Sequence, residues 1–571
     1  MVAVLSSGNT PLAALRAAGR DTGPAAVVWS SCRRSAAAPQ LEGSGMATNL
    51  VKGTDGADDL SGTLGRDILF GFAGGDDLFG DGDIDRGDGA QARLRGAADA
   101  LSGGTGDDRL WGDGRIVLGD NAVQAVIIGG HDLLYGGTGD DTLYGDGTTE
   151  VGDQSRLALI RGGRDLLAGG DGDDALYGDG LATSFFGNDD QRIEGGADTL
   201  SGGDGNDLLY GDGVLRLAIS SSGTLAGGAD LLDGGSGNDT LFGDGVVLGA
   251  TFGVSALTGG RDLLRGGAGD DVLTGDGTVN TDRTGLPAFT GGADTIFGGD
   301  GNDSLTGDGN AGSGNNAMTG GDDVLDGGSG NDTVLGDGGI SIARAGSGTL
   351  TGGDDTISAG AGRDVVLGDG VIDIFADGAT LAGGEDRLYG GSGADLLYGD
   401  GLAGDGNDSN DLVLEGGDDR IFGGDGNDTV YGDGTAEGLF LAQLTGGNDR
   451  IAGGRGDDVL WGDGTADGGF RSVLSGGADT FVFDAGDGLD TIQDFRSAEG
   501  DIIRFRDGRL EWSDLDTDGN GTLDGADRFI DIAGGGTVLD YGAALGSGDP
   551  SQHRLTVADV TGLTVSDFTF G

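Results

Sequence analysis

Apolar residues come in small islands along this chain. In "GGDGNDLLYGDG", residues 202–213, Leu208, Leu209 and Tyr210 stand between runs of glycine and aspartate. The island recurs in "GGADTLSGGDGNDLLYGDG" at 195–213, "GGADLLDGGSGNDTLFGDG" at 227–245, "GGRDLLRGGAGDDVLTGDG" at 259–277 and "GGADTIFGGDGNDSLTGDG" at 291–309. A smaller period of about nine residues, "GGxGxDxLx", repeats inside each unit. Its Gly-Gly-x-Gly-x-Asp half predicts a turn, since glycines allow positive φ and leave backbone carbonyls uncovered. Its x-Leu-x half predicts a short strand with one side chain inward and its neighbours outward. Such a strand buries too little to stand alone. Stacked on copies of itself, it adds one row to a thin core lined by Leu200, Leu209, Leu232 and Leu241.

The "GDG" triplets run from Gly80–Gly82 to Gly462–Gly464. They fall about 32 residues apart, so around thirteen units fit, which is the period of a solenoid. About eleven to fourteen residues follow most triplets before the pattern resumes, as insertions on one face of a repeat do. Examples are "VLRLAISSSGTLA" at 214–226 and "VIDIFADGATLA" at 371–382. Alternation at Leu215, Leu217 and Ile219 predicts an extra strand or hairpin there. The expected unit is one coil with a tight turn on one edge and an enlarged turn on the other, a three-strand coil being the alternative.

Composition then decides what the turns do. The chain has 571 residues, 133 of them Gly and 5 Pro, a net charge of −65 and 36% hydrophobic residues. That balance allows either a disordered acidic chain or one whose charge is neutralised by a ligand. Nucleic acid is excluded as a partner, because its phosphates meet the same repulsion. Roughly nine in ten acidic residues are Asp, a bias that solubility alone does not require. Short carboxylates beside turning backbone suit a hard cation such as Ca²⁺. With only His131, His553 and Cys32, sites built from His or Cys are excluded, as is a disulfide framework within one chain. No stretch reaches transmembrane length.

Stacking places the Asp that closes each turn at a fixed point on every coil, in columns about 4.8 Å apart. Unneutralised, the columns repel; with Ca²⁺ between coils they become ligands, so metal and fold are coupled. The candidate ligands are Asp58, Asp67, Asp76, Asp108, Asp132, Asp141, Asp165, Asp174, Asp198, Asp207, Asp230, Asp239, Asp262, Asp271, Asp294 and Asp303. They continue through Asp323, Asp332, Asp355, Asp364, Asp386, Asp395, Asp419, Asp428, Asp449, Asp458, Asp479 and Asp490.

From Gly53 to Gly477 these repeats resemble the RTX (repeats-in-toxin, hemolysin-type) family. About two dozen "GGxGxD"-like turns in one register carry the resemblance. It implies an all-β fold, a parallel β-roll or β-helix with Ca²⁺ in its turns, and export through a type I secretion apparatus. Two features depart from the family's uninterrupted nonapeptides. One is the stretch after each "GDG". The other is Asp in place of the second Gly of that triplet, which makes Asp212 and its equivalents second-tier ligands.

Three regions follow. Residues 1–45, rich in Ala and Arg, read as a leader or unstructured tail; they lack a basic start and a long apolar run, and Met46 is the expected start. Residues 46–475 are the solenoid. Residues 476–571 turn aromatic, with Phe481, Phe483, Phe495 and Phe505, and read as a cap over the open end. Within this region "DTDGNGTLDGAD" at 516–527 fits a twelve-residue EF-hand-type loop, with Asp516, Asp518, Asn520, Thr522 and Asp527 as ligands. The last segment, "LTVADVTGLTVSDFTFG", resembles the uncleaved C-terminal secretion signals of the family.

No HExxH, GxSxG or P-loop motif is present, and paired carboxylates in an Asp-rich chain carry no information about glycoside hydrolysis. His131 stands in a variable repeat slot, and Trp111 and Trp461 replace Tyr144 or Tyr210 at one strand position. The expectation is a non-enzymatic, secreted protein that folds on Ca²⁺, a structural, cell-surface, matrix or adhesive component whose partner is a cell surface or matrix polysaccharide. The alternatives are an extracellular enzyme accessory or carbohydrate-binding module, and a membrane-active toxin.

Overall fold

Stacking turns every short strand of the repeat into a rung of a long parallel sheet. The computed structural model describes residues 49–571 except 154–155, 186–189, 219, 250–254, 281–287, 313–315, 343–346, 375–377, 405–410, 439–440, 469–470, 507 and 547–552. The expectations for residues 1–45, Cys32, Met46 and Ile219 lie outside these residues. The described chain forms a parallel β-solenoid, as the repeat predicts, with strands assembled into four sheets, A to D.

One coil shows how the repeat folds. Strand β1 (Thr199–Asp204) lies in sheet A, β2 (Leu208–Tyr210) in B, β3 (Gly213–Leu217) in C and β4 (Ser222–Ala226) in D. Each pairs in parallel with the same strand of the coils before and after. Leu200 faces Leu167 and Leu232, Leu209 faces Leu176 and Leu241, and Leu225 faces Ile193 and Leu257. The first coil, with strands Asn49–Lys52 and Asp59–Ser61, contributes only to A and B.

The stretch after each "GDG" is therefore neither a hairpin nor an enlarged turn. It supplies two strands in two separate sheets of thirteen strands each, giving four strands per coil. The physical reason is the alternation already visible in the sequence. Leu215 and Leu217 from sheet C and Leu225 from sheet D need a core, and the A–B layer has no room for them. Sheets A and B enclose one apolar column that includes Leu200 and Leu209; sheets C and D enclose a second that includes Leu215 and Leu225. The two columns run side by side. The chain crosses between them twice per coil, at Gly211–Gly213 and at Gly227–Asp230.

Glycine is required at particular points of this stack. Gly203 has φ +127°, and a Cβ there would lie 2.1 Å from the carbonyl oxygen of Gly170 in the preceding coil. Aromatic residues at the third position of sheet B stack face to face along the axis. Phe79, Trp111, Tyr144, Tyr177, Tyr210 and Phe242 have successive centroids 4.4–5.6 Å apart, and Tyr398, Tyr431 and Trp461 form a second run. Their faces are taken up by one another, so Trp111 and Trp461 act as packing groups here.

Sheets C and D stop before the C-terminal region, while A and B continue into it. Sheet A adds β5 (Thr480–Phe483), β7 (Ile502–Phe505) and β11 (Phe568–Phe570), all parallel. Sheet B adds β6 (Gly488–Ile492) and β10 (His553–Val557), then turns antiparallel through β9 (Gly536–Leu539) and β8 (Ile530–Ala533). Two four-residue helices, α1 (Trp512–Leu515) and α2 (Tyr541–Ala544), interrupt this region. Phe481, Phe483, Phe505 and Tyr541 extend the A–B core, and the antiparallel strands end the stack.

Because each coil touches only its neighbours, damage stays local. Leu209→Ala should cost about 2–5 kcal/mol where it acts. Hydrogen exchange on calcium-loaded protein should show protection lost around residues 176–241 and kept beyond residue 395. Uniform loss along the chain would contradict this nearest-neighbour picture.

Candidate metal centre

The turn between sheets A and B carries one column of aspartates along the edge of the molecule. In each coil the Asp closing "GGxGxD" turns inward, and its Oδ1 accepts the backbone N–H of the equivalent Asp one coil earlier. Asp174 donates to Asp207 at 2.8 Å, and Asp207 to Asp239 at 2.8 Å. The series runs from Asp58 through Asp76, Asp108, Asp141, Asp174, Asp207, Asp239, Asp271, Asp303, Asp332, Asp364, Asp395, Asp428 and Asp458 to Asp490. Asp207 is 2% exposed, and its Oδ2 accepts no hydrogen bond. That oxygen occupies the space a side chain at Gly202 would need, 2.1 Å from its Cβ position.

The remaining repeat aspartates form a second column, where the chain enters sheet A, from sheet D in every coil that has one. Asp198 donates its N–H to Asp230 Oδ1 at 2.6 Å, and Asp230 to Asp262 at 2.7 Å. This column contains Asp67, Asp132, Asp165, Asp198, Asp230, Asp262, Asp294, Asp323, Asp355, Asp386, Asp419, Asp449 and Asp479. It also contains Asp99 and Asp501, which the sequence reading passes over. Asp99 follows "GAA" rather than "GGA", though its spacing of 32 residues from Asp67 marks it; Asp501 carries no repeat signal.

Directly opposite, between sheets B and C, lies the Asp of the "GDG" that follows each sheet-B strand of the solenoid, such as Asp212 after Leu208–Tyr210. Asp212 and Asp244 are 0% exposed, and the Oδ1 of each accepts no hydrogen bond. Their Oδ2 atoms accept the N–H groups of Gly228 (3.1 Å) and Gly260 (3.0 Å) across the crossing. These residues, second-tier in the sequence reading, stand in the centre of the waist between the two apolar columns. Asp212, Asp230 and Asp244 each bring a carboxylate oxygen within 4.8 Å of the others, as do Asp244, Asp262 and Asp276, and Asp113, Asp132 and Asp146. A Cβ at Gly195 would lie 1.9 Å from Asp212 Oδ1, so only glycine admits the carboxylate there.

Buried, unpaired carboxylates stacked in register resist ionisation, and the two columns do so to different degrees. At the edge, burial pushes Asp239 up to about 6, Asp207 to about 7 and Asp141 to about 8. In the waist, burial followed by repulsion from neighbouring carboxylates holds Asp212, Asp230 and Asp244 far above the usual range. An anionic oxygen in such a place requires a cation. The donor set is all oxygen, hard and rich in charge, which fits Ca²⁺.

The model of the RTX calcium-binding nonapeptide repeat matches thirteen segments of the chain. They are 52–86, 95–114, 128–148, 161–180, 194–213, 226–245, 258–281, 290–320, 310–342, 350–375, 382–401, 404–435 and 444–468, together more than half of its length. The chain belongs to the RTX calcium-binding repeat family. No curated protein matches it. The RTX segments 194–213 and 226–245 each span one D-to-A crossing, one edge turn and one "GDG", so the matched unit contains one member of each aspartate series.

The C-terminal loop is a separate cluster. Asp516, Asp518 and Asp527 bring carboxylate oxygens within 4.8 Å of one another. Asp516 Oδ2 accepts from Gly521 N and Trp512 Nε1, Asn520 Oδ1 accepts from Thr522 N, and Asp527 Oδ1 accepts from Thr517 N at 2.7 Å. Burial raises the Asp527 carboxyl, but N–H groups of Asp524, Asp518 and Thr517 outweigh it and hold it below the usual range. α1 leads directly into the loop, but the element that comes next is strand β8 rather than a helix, and Thr522 bridges Thr564, tying the loop to the last segment. Elsewhere, His131 is exposed on the solenoid surface. No helix among the described residues is long and apolar enough to cross a membrane.

The raised carboxyls fix the sign of a pH effect in calcium-free protein. The folded state holds protons more tightly than the unfolded chain, whose carboxyls titrate near 3.8. This contribution to stability is present in full below that value. It is lost as pH rises through about 6 to 8, where Asp239, Asp207 and Asp141 ionise. Circular dichroism in EGTA should therefore show β-structure at acid pH that melts on titration to pH 8. β-structure that grows with rising pH would contradict the assignment.

Proposed function

We propose that this chain is a secreted RTX protein that stays unfolded in the cytosol, folds on Ca²⁺ outside the cell, and acts as a structural or adhesive component of a cell surface or matrix. The observation that carries this is the series of buried carboxylate oxygens without hydrogen-bond donors, repeated on every coil of a chain with net charge −65. In a cytosol poor in free calcium, repulsion along the columns keeps the chain extended. Extended, it can thread a type I channel. In the millimolar calcium outside, weak extracellular sites with Kd near ~10⁻⁴–10⁻³ M fill. Binding to the folded form alone then pulls the equilibrium toward it.

The edge residues, such as Asp207 and Asp239, and the waist residues, such as Asp212, Asp230 and Asp244, are the ligands of the solenoid. Asp516, Asp518, Asn520, Thr522 and Asp527 form one further site, which would tie the secretion-signal-like last segment to the cap. When bound, Ca²⁺ supplies the positive charge that lets these carboxylates be buried as anions. A non-enzymatic role fits a uniform solenoid that, among the described residues, ends in a cap. Cell-surface or matrix polysaccharide is the proposed partner.

Two measurements test this reading. Far-ultraviolet circular dichroism at pH 7.5 should be coil-like in EGTA and β-rich in millimolar Ca²⁺; identical spectra would end the folding-switch reading. Protein on the surface of producing cells should be released by chelator. Recovery of the protein only inside the cells, with or without chelator, would end the surface assignment.

A further inference from the structure

The two aspartate columns differ in charge and in surroundings, and these differences bear on how they hold metal. Each edge turn contributes one inward carboxylate, Asp207 in the coil described above. Its roof is a single turn in which Asp204 and Asn206 are exposed, so water lies one residue away. Each coil contributes two carboxylates to the waist, one from "GDG" at the B-to-C crossing and one from the D-to-A crossing. Asp212 and Asp244 are 0% exposed and Asp230 4%.

The waist has apolar columns on both sides, Leu209 and Leu232 on one and Leu215 and Leu225 on the other. Gly211–Val214 close one wall and are all buried. Gly227 and Gly228, half-buried, form the other. The orphaned oxygens Asp212 Oδ1, Asp230 Oδ2 and Asp244 Oδ1 lie inside this enclosure.

We infer that the waist is a second class of calcium site, distinct from the edge turns, that takes about one Ca²⁺ per coil and releases it only when a coil opens. This rests on the calcium reading above. Two buried carboxylates per coil match one divalent cation, so a filled waist is locally neutral; the edge buries one per coil, its other acids such as Asp204 facing water. Affinity in oxygen sites rises with ligand charge and rigidity, so the waist fills at lower calcium than the edge. Release from the edge needs a turn to fray. Release from the waist needs the D-to-A crossing to part, which disturbs the ends of strands in two sheets, and openings of that size are rarer than fraying. The edge then reports external calcium, and the waist keeps the coils together through a transient fall in it.

The test is a chelator jump on the full calcium-loaded chain, with Ca²⁺ itself as probe. Excess EGTA and an indicator follow the release of ions. Two phases are expected, the slower at least about tenfold slower and with an amplitude near one ion per coil. The pair Asp212→Asn and Asp244→Asn should shrink only the slow phase, by the ions of the affected coils. The pair Asp207→Asn and Asp239→Asn should shrink only the fast phase. Asn keeps the shape and one oxygen, and circular dichroism in calcium checks that each variant folds. If the waist variant does not fold, the phases of the unsubstituted chain still decide. A single release phase overturns the inference and leaves the calcium reading standing. Absence of any calcium uptake overturns the calcium reading itself.

Discussion

Burial of like charges in register governs this molecule. Every coil turns carboxylates inward at the same heights, so the columns at Asp207 and Asp212 repel along their full length unless cations lie between them. The apolar rows that oppose this repulsion are thin, one side chain per strand face at Leu200 and Leu209. In most globular proteins a buried ion pair is an addition to a core that would stand without it. Here buried carboxylates recur on coil after coil beside the leucines, and their counter-charge must come from outside the chain. Folding and metal binding become one event.

Glycine follows from the same constraint, in two ways. Gly203 adopts a backbone conformation closed to other residues and lets one coil rest on the last. Gly195 and Gly202 are small because a carboxylate oxygen occupies the place of a side chain. The repeat is therefore a set of complementary pairs, each inward aspartate facing a glycine that makes room for it. The second apolar column, between sheets C and D, adds buried surface on the far side of the waist. It converts what would be a second edge turn into an interior, and this is where the chain departs from the plain nonapeptide roll of its first coil.

Much of this was legible in the chain itself, and the exceptions have physical causes. Asp198 and Asp207 announce themselves by recurring at fixed distances from glycine pairs, since turn geometry is local. Asp99 is less legible because Ala97 replaces the usual glycine, although its spacing keeps the register. Asp212 looks secondary because the motif, read alone, ends there; only the return of sheet D places Asp230 opposite it. The alternation at Leu215 and Leu217 speaks for a strand but not for its partner. One β-strand cannot tell whether its apolar face meets the core of sheets A and B or a new one, and it was sheet D that decided.

The sequence by itself determined the parallel solenoid, its period, the inward aspartates of the turns and the need for a hard cation, because each depends on neighbours within a few residues, repeated until chance is excluded. The tertiary structure alone decided that the coil has four strands and two cores, and that the "GDG" aspartates are central. Those facts depend on which segments face each other across the coil. Residues such as Asp212 and Asp230, 18 positions apart in sequence and joined only through their contacts, carry no local signal of their meeting.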